Sequence, residues 1–95
     1  MNLTLLKYLK SFSDGRIRIR HPALRKAEIS ALTQKKMKET YGVNQVETNT
    51  LSGSILILYD CTILSKDRLI EMGTAWANYL DQVNRGLAVA PPEFV

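Results

Sequence analysis

The side chains that could hold a metal ion or attack a substrate are few: the chain has one histidine, His21, and one cysteine, Cys61. Zinc and copper sites take two to four protein donors, so a lone imidazole is a poor ligand set. His21 reads as a loop residue hydrogen-bonded to backbone. The alternative is a metal or small-ligand site that shares His21 across a dimer. Cys61 follows a strand that should end far from His21, so the two cannot meet within one molecule. It reads as a small, buried or half-buried hydrophobe, with only Lys66 near it as an activating cation. A single cysteine cannot form an internal disulfide, which points to a reducing cytoplasm. Catalysis finds no foothold. There is no nucleophile beside a base, no carboxylate cluster and no glycine-rich phosphate loop. Asp60 and Asp67 read as turn and cap residues, and Trp76 and Tyr79 as packing residues. The expectation is a non-enzyme that needs no cofactor.

The cations carry more information. In RIRIR, residues 16–20, Ile17 and Ile19 alternate with Arg16, Arg18 and Arg20, the period-two pattern of a strand with one buried face. In SILILYD, residues 54–60, the same parity sends Ile55, Ile57 and Tyr59 inward. It leaves Leu56 and Leu58 outward beside the arginines. An apolar patch ringed by cations implies a covering element or a partner. Either the N-terminal segment folds over it through Leu5, Leu9 and Phe12, or another protein or a second copy docks there. Arg25 and Lys26, just after His21, extend the basic surface. RNA-binding sheets of this topology stack bases on outward aromatics, and these positions hold arginine and leucine instead. A basic anion- or nucleic-acid-binding domain remains a further alternative, with Lys35, Lys36 and Lys38 on one helix. Those lysines are most simply a solvated face.

The elements that must position these residues follow from periodicity. Residues 3–12 read as a short amphipathic helix with Leu5, Leu6, Leu9 and Phe12 on one side. Ser13, Asp14 and Gly15 make a turn into the arginine strand. Residues 24–41 read as a helix with Ile29, Leu32, Met37 and Tyr41 on an imperfect apolar stripe, stopped by Gly42. VNQVETN is polar enough for an edge strand, and Ser52-Gly53 turns the chain into the strong strand that follows. Ser65 caps a second helix whose stripe is Leu69, Met72, Gly73, Trp76, Leu80 and Val83. Arg85-Gly86 stops it, and GLAVA, residues 86–90, reads as a last strand. The expected order is a short helix and then βαββαβ. That is an α+β, ferredoxin-like sandwich with a four-stranded antiparallel sheet and two helices on one face. The boundaries expected are residues 1–14 for the N-terminal helix and turn, 15–90 for the domain and 91–95 for a tail.

The chain has 95 residues, enough for one domain with a thin core. With 45% hydrophobic and 23% charged residues it is ordinary for a globular protein, not a disordered one. A net charge of +4 and a pI near 9.4 suit anionic partners but also plain solubility. The N-terminal stretch, interrupted by Lys7 and Lys10, is not a secretion signal. The longest apolar run, ILILY, is far short of a membrane span.

GRIRIRHPAL and GVNQVETNTLSGSILILYD together resemble the heavy-metal-associated (HMA) domains of copper chaperones and metal-pumping ATPases. The matching residues are Gly42, Val43, Val46, Asn49, Gly53, Ile57, Tyr59 and Asp60, and the likeness spans roughly residues 15–84. Metal-binding members carry a Cys-x-x-Cys loop between the first strand and helix. Here that loop is HPALRK, so the chain resembles a cysteine-free subgroup. The resemblance implies a protein-interaction or regulatory module linked to transition-metal homeostasis. Its implied partner is a membrane metal-transporting ATPase or another HMA-like domain, and its place is the cytoplasm or, through that partner, the membrane periphery. The surface expected to carry this role is Arg16, Arg18, Arg20, Leu56, Leu58, His21, Arg25 and Lys26.

Overall fold

A computed structural model describes residues 4–92. The start of the expected N-terminal unit, residues 1–3, which includes the first residue of its helix, and the end of the expected tail, 93–95, lie outside the described residues. The chain runs α1 (Thr4–Tyr8), β1 (Leu9–Ser13), β2 (Arg16–Arg20), a 3-10 turn (Pro22–Arg25), α2 (Ala27–Lys38), β3 (Val43–Asn49), β4 (Ser54–Tyr59) and α3 (Lys66–Asn84). The four strands form one antiparallel sheet in the order β1-β2-β4-β3. The fold is α+β and ferredoxin-like.

The inner face of the sheet follows the sequence parity. Ile17 and Ile19 of β2 and Ile55, Ile57 and Tyr59 of β4 are all buried, and each residue between them is exposed or half-buried. α3 closes this face with Leu69, Met72, Trp76, Ala77 and Leu80. Both ends of α3 are built as its sequence directs. The Ser65 hydroxyl accepts from the Arg68 amide at 3.1 Å, capping the start. At the far end the amides of Leu87 and Gly86 reach the carbonyls of Gln82 and Val83. These bonds form a Schellman motif, with Gly86 at φ +83°.

The N-terminal segment departs from expectation. Helix ends at Tyr8, and residues 9–13 pair with β2 as an edge strand through the turn at Gly15. Leu9 and Phe12 are three apart, a spacing that mimics a helix. A β-bulge at Lys10 absorbs the extra residue, so Leu9 opposite Ile19 and Phe12 opposite Ile17 both reach the inner face. This hairpin takes the edge position that a C-terminal strand was expected to fill. Residues 87–90 are exposed and have no regular structure. Local closure explains the outcome, because a tight hairpin orders far less chain than a return from the end of α3.

α1 does not cover the outer face of the sheet, as one expectation had it. Leu5 is buried against Gly73 of α3, where an added Cβ would stand 3.0 Å from the Leu5 side chain. The helix expected from residue 24 begins at Ala27, after the 3-10 turn. Its buried residues are Ser30, Thr33 and Met37, with Ile29 and Leu32 half-buried. Tyr41 is 82% exposed and takes no part in that stripe. α2 ends at Lys38, so Tyr41 lies beyond its last turn, and Gly42 (φ +97°) then leads the chain into β3.

Candidate functional site

The outer face of the sheet is a set of rows running across the strands. Arg16 pairs with Leu58, Arg18 with Leu56 and Arg20 with Ser54; on the other side of β4 stand Gln45, Glu47 and Asn49. The three arginines are exposed and the two leucines half-buried. Among the described residues no ion pair joins Arg16, Arg18 or Arg20 to a carboxylate. A shallow groove of about 890 Å³ opens on this face, lined in part by Lys10, Arg18, Arg20, Asn49, Ser54 and Leu56. Among the described lining residues Glu47 is the one carboxylate, and its Oε1 accepts from the Gln45 side-chain amide at 2.8 Å. The face can receive an anionic surface with apolar content, since the arginine stems lie beside leucine and their heads reach water.

His21 turns the other way. It ends β2, is 1% exposed and caps the 3-10 turn, with Nδ1 accepting from the Ala23 amide at 3.0 Å. A backbone amide can only donate, so the ring proton sits on Nε2. That proton is donated to Asp81 Oδ1 at 2.8 Å. Tyr8 completes the cluster: its hydroxyl donates to the same Oδ1 at 2.5 Å, and its ring lies 4.2 Å from the imidazole. Burial would raise the Asp81 carboxyl. The bonds from Tyr8 and His21, helped by Lys7, outweigh it and hold the group below the usual carboxylate range. The Tyr8 hydroxyl is pushed up to about 12 by its bond to Asp81, then by burial and by the Asp81 charge, with Arg85 opposing.

These contacts correct two expectations for His21. The side chain is not displayed on the surface, and neither ring nitrogen is free to meet a cation, within one molecule or across a dimer. Tyr8 and Asp81 escaped the sequence reading because they lie 73 residues apart and share no local motif. The one available signal was that a buried histidine must find a partner.

Arg25 and Lys26 are exposed at the same end of the sheet as His21, beside the turn between β3 and β4. Cys61 lies just past the opposite end of β4, and it is exposed, not buried as expected. Lys66, expected beside it, stands over the Phe12 ring at 5.8 Å. Asp60 accepts from the Thr62 amide and hydroxyl, a turn role. A Cys-x-x-Cys metal loop does not fit these residues. Its place is taken by a turn whose buried residues are Ala23 and Leu24. Among the described residues no three histidine, cysteine, aspartate or glutamate side chains group to hold an ion.

No helix among the described residues is long and apolar enough to cross a membrane. Residues 6–84 match the family described as heavy metal associated domain 2. No curated protein and no solved structure matches the chain.

Proposed function

Because the chain belongs to the heavy metal associated domain 2 family, we propose that it is a non-catalytic interaction or regulatory module. It acts in transition-metal transport or homeostasis without a Cys-x-x-Cys site of its own. Its partner is an acidic protein surface, of the kind a membrane metal-transporting ATPase or another domain of this family would present, on the cytoplasmic side. One observation carries the reading: Arg16, Arg18 and Arg20, with no ion pair among the described residues, stand beside Leu56 and Leu58 on a sheet face that no described element covers. Half-buried apolar groups flanked on one side by a row of cations let a surface select a partner and orient its approach. The half-buried leucines supply the area that drives association, and the arginines supply its direction.

Among the described residues the metal reading finds little support, since both His21 nitrogens are engaged and Cys61 is at the other end of the sheet. Parallel affinity purifications with the wild-type chain and with Leu56→Glu test the proposal, each retained protein being identified by mass spectrometry. Leu56→Glu is expected to lose a partner that the wild-type chain holds, while its melting temperature stays within a few degrees, since residue 56 faces solvent on one side. Equal capture by both would move the interface elsewhere.

A further inference from the structure

The end of the molecule that holds Arg25 and Lys26 carries a second feature that the sheet-face reading leaves unused. Leu51 sits at the tip of the turn between β3 and β4 and is 89% exposed, more than any other large hydrophobic side chain among the described residues. The turn that presents it is held firmly. Asn49 Oδ1 accepts from the amides of Leu51 (3.0 Å) and Ser52 (3.3 Å), and the Gly53 amide reaches the Asn49 carbonyl at 2.8 Å. The turn is tied to the first loop as well. The His21 amide donates to the Gly53 carbonyl at 2.8 Å, and an added Cβ on Gly53 would meet Arg25 Cγ at 3.1 Å. An exposed leucine on a hydrogen-bonded turn therefore shares this end with three exposed cations that can serve as its basic collar: Arg20, opposite Ser54, Arg25, close to Gly53, and Lys26, next to Arg25 in the chain.

We propose that this end docks on an anionic lipid surface, with Leu51 entering the headgroup boundary and the collar of Arg20, Arg25 and Lys26 resting on lipid phosphates and carboxylates. Two features favour lipid over a protein as the occupant. A leucine on a convex tip needs a socket cut to its shape in a protein, whereas the boundary of a bilayer accepts it without one. Entry into an apolar layer is also costly for unpaired amides, and those of Leu51 and Ser52 already have an acceptor in Asn49. The inference goes beyond the sheet-face proposal and does not rest on Leu56 or Leu58.

Flotation of the full chain with mixed phosphatidylserine–phosphatidylcholine vesicles tests it, with pure phosphatidylcholine vesicles as control. The expected result is capture by the anionic vesicles that weakens as salt is raised, and little capture by neutral ones. Leu51→Ser is expected to weaken the partition on the order of tenfold. Arg25→Gln with Lys26→Gln should weaken it on the order of twentyfold or more. Each altered side chain is exposed, so thermal melting should not change. Leu51→Trp adds a direct readout: its emission should shift to the blue and be quenched by brominated lipid, against the steady background of buried Trp76. The proposal is overturned if anionic vesicles fail to retain the wild-type chain, or if retention is indifferent to Leu51. Binding to immobilised polyglutamate without binding to vesicles would also overturn it and assign this end to an acidic protein. Leu56→Glu should float like the wild type, which keeps this result separate from the fate of the sheet-face proposal.

Discussion

Ser30 faces the core from the start of α2, 2% exposed, and its hydroxyl has no hydrogen-bond partner among the described residues. A buried polar group without a partner costs about 1–3 kcal/mol. Ser30→Ala removes that cost and improves helix propensity, so it should stabilise the fold by on the order of 1 kcal/mol. The melting temperature should then rise by about 4–8 °C. Nothing in the sequence separated Ser30 from an ordinary solvated helix serine, because that distinction depends on which way α2 is turned against β3. His21 was legible only in part. Its bond to backbone followed from its loop position, but its pairing with Tyr8 and Asp81 needed chain segments that only folding brings together. That cluster also sets a pH dependence. The Tyr8 hydroxyl titrates near 12 in the folded chain against an ordinary value of 10.0, so its contribution is complete below about pH 10 and is lost as pH rises towards 12. Asp81, held below its ordinary range, contributes in the opposite sense: its share is present above that range and is lost as pH falls through it. Urea unfolding across pH 9–12 should show a decline for the wild-type chain that is shallower in Tyr8→Phe.

At the scale of elements, legibility followed the regularity of the pattern. β2 and β4 alternate without a break, and α3 carries both its stripe and its caps, so all three were read correctly. β1 was not, because its bulge converts a spacing of two into three, the mark of a helix turn. The same device recurs in β3, where Val43 and Val46 both face inward around a register shift. There it did no harm to the reading, since polar neighbours ruled out an amphipathic helix. Deleting Lys10 tests the account of β1. Without the extra residue Leu9 and Phe12 stand two apart opposite Ile19 and Ile17, so a regular strand keeps both side chains on the inner face. Stability should therefore change by no more than about 1 kcal/mol, measured by urea unfolding. A segment held as helix would instead lose register along its whole stripe and melt far lower, so the size of the loss separates the two descriptions.

At the scale of the molecule, the described residues cover one face of the sheet and leave the other open, and the charge on the open face limits what can cover it. Lys10 lies along its groove, and Arg16, Arg18 and Arg20 on its central strand, against Glu47 as the single carboxylate among the described lining residues. Two copies packed face to face would form an isologous interface, in which the same patch meets itself. Whatever rotation relates them, two net-positive surfaces would be brought together. The half-buried leucines would have to overcome that repulsion, which is strongest when salt does not screen it. Self-association through this face is therefore expected to be absent at low ionic strength and to appear, if at all, as salt is added. Sedimentation equilibrium over a salt series is the measurement. Wild-type chain should remain a monomer at low salt, and Arg18→Gln with Arg16→Gln should associate more readily than the parent, because the variant keeps Leu56 and Leu58 while losing the charges that hold two copies apart. A salt-sensitive dimer that weakens as salt is raised would reverse this reading, since it would require an acidic surface of the same chain to sit over the arginines.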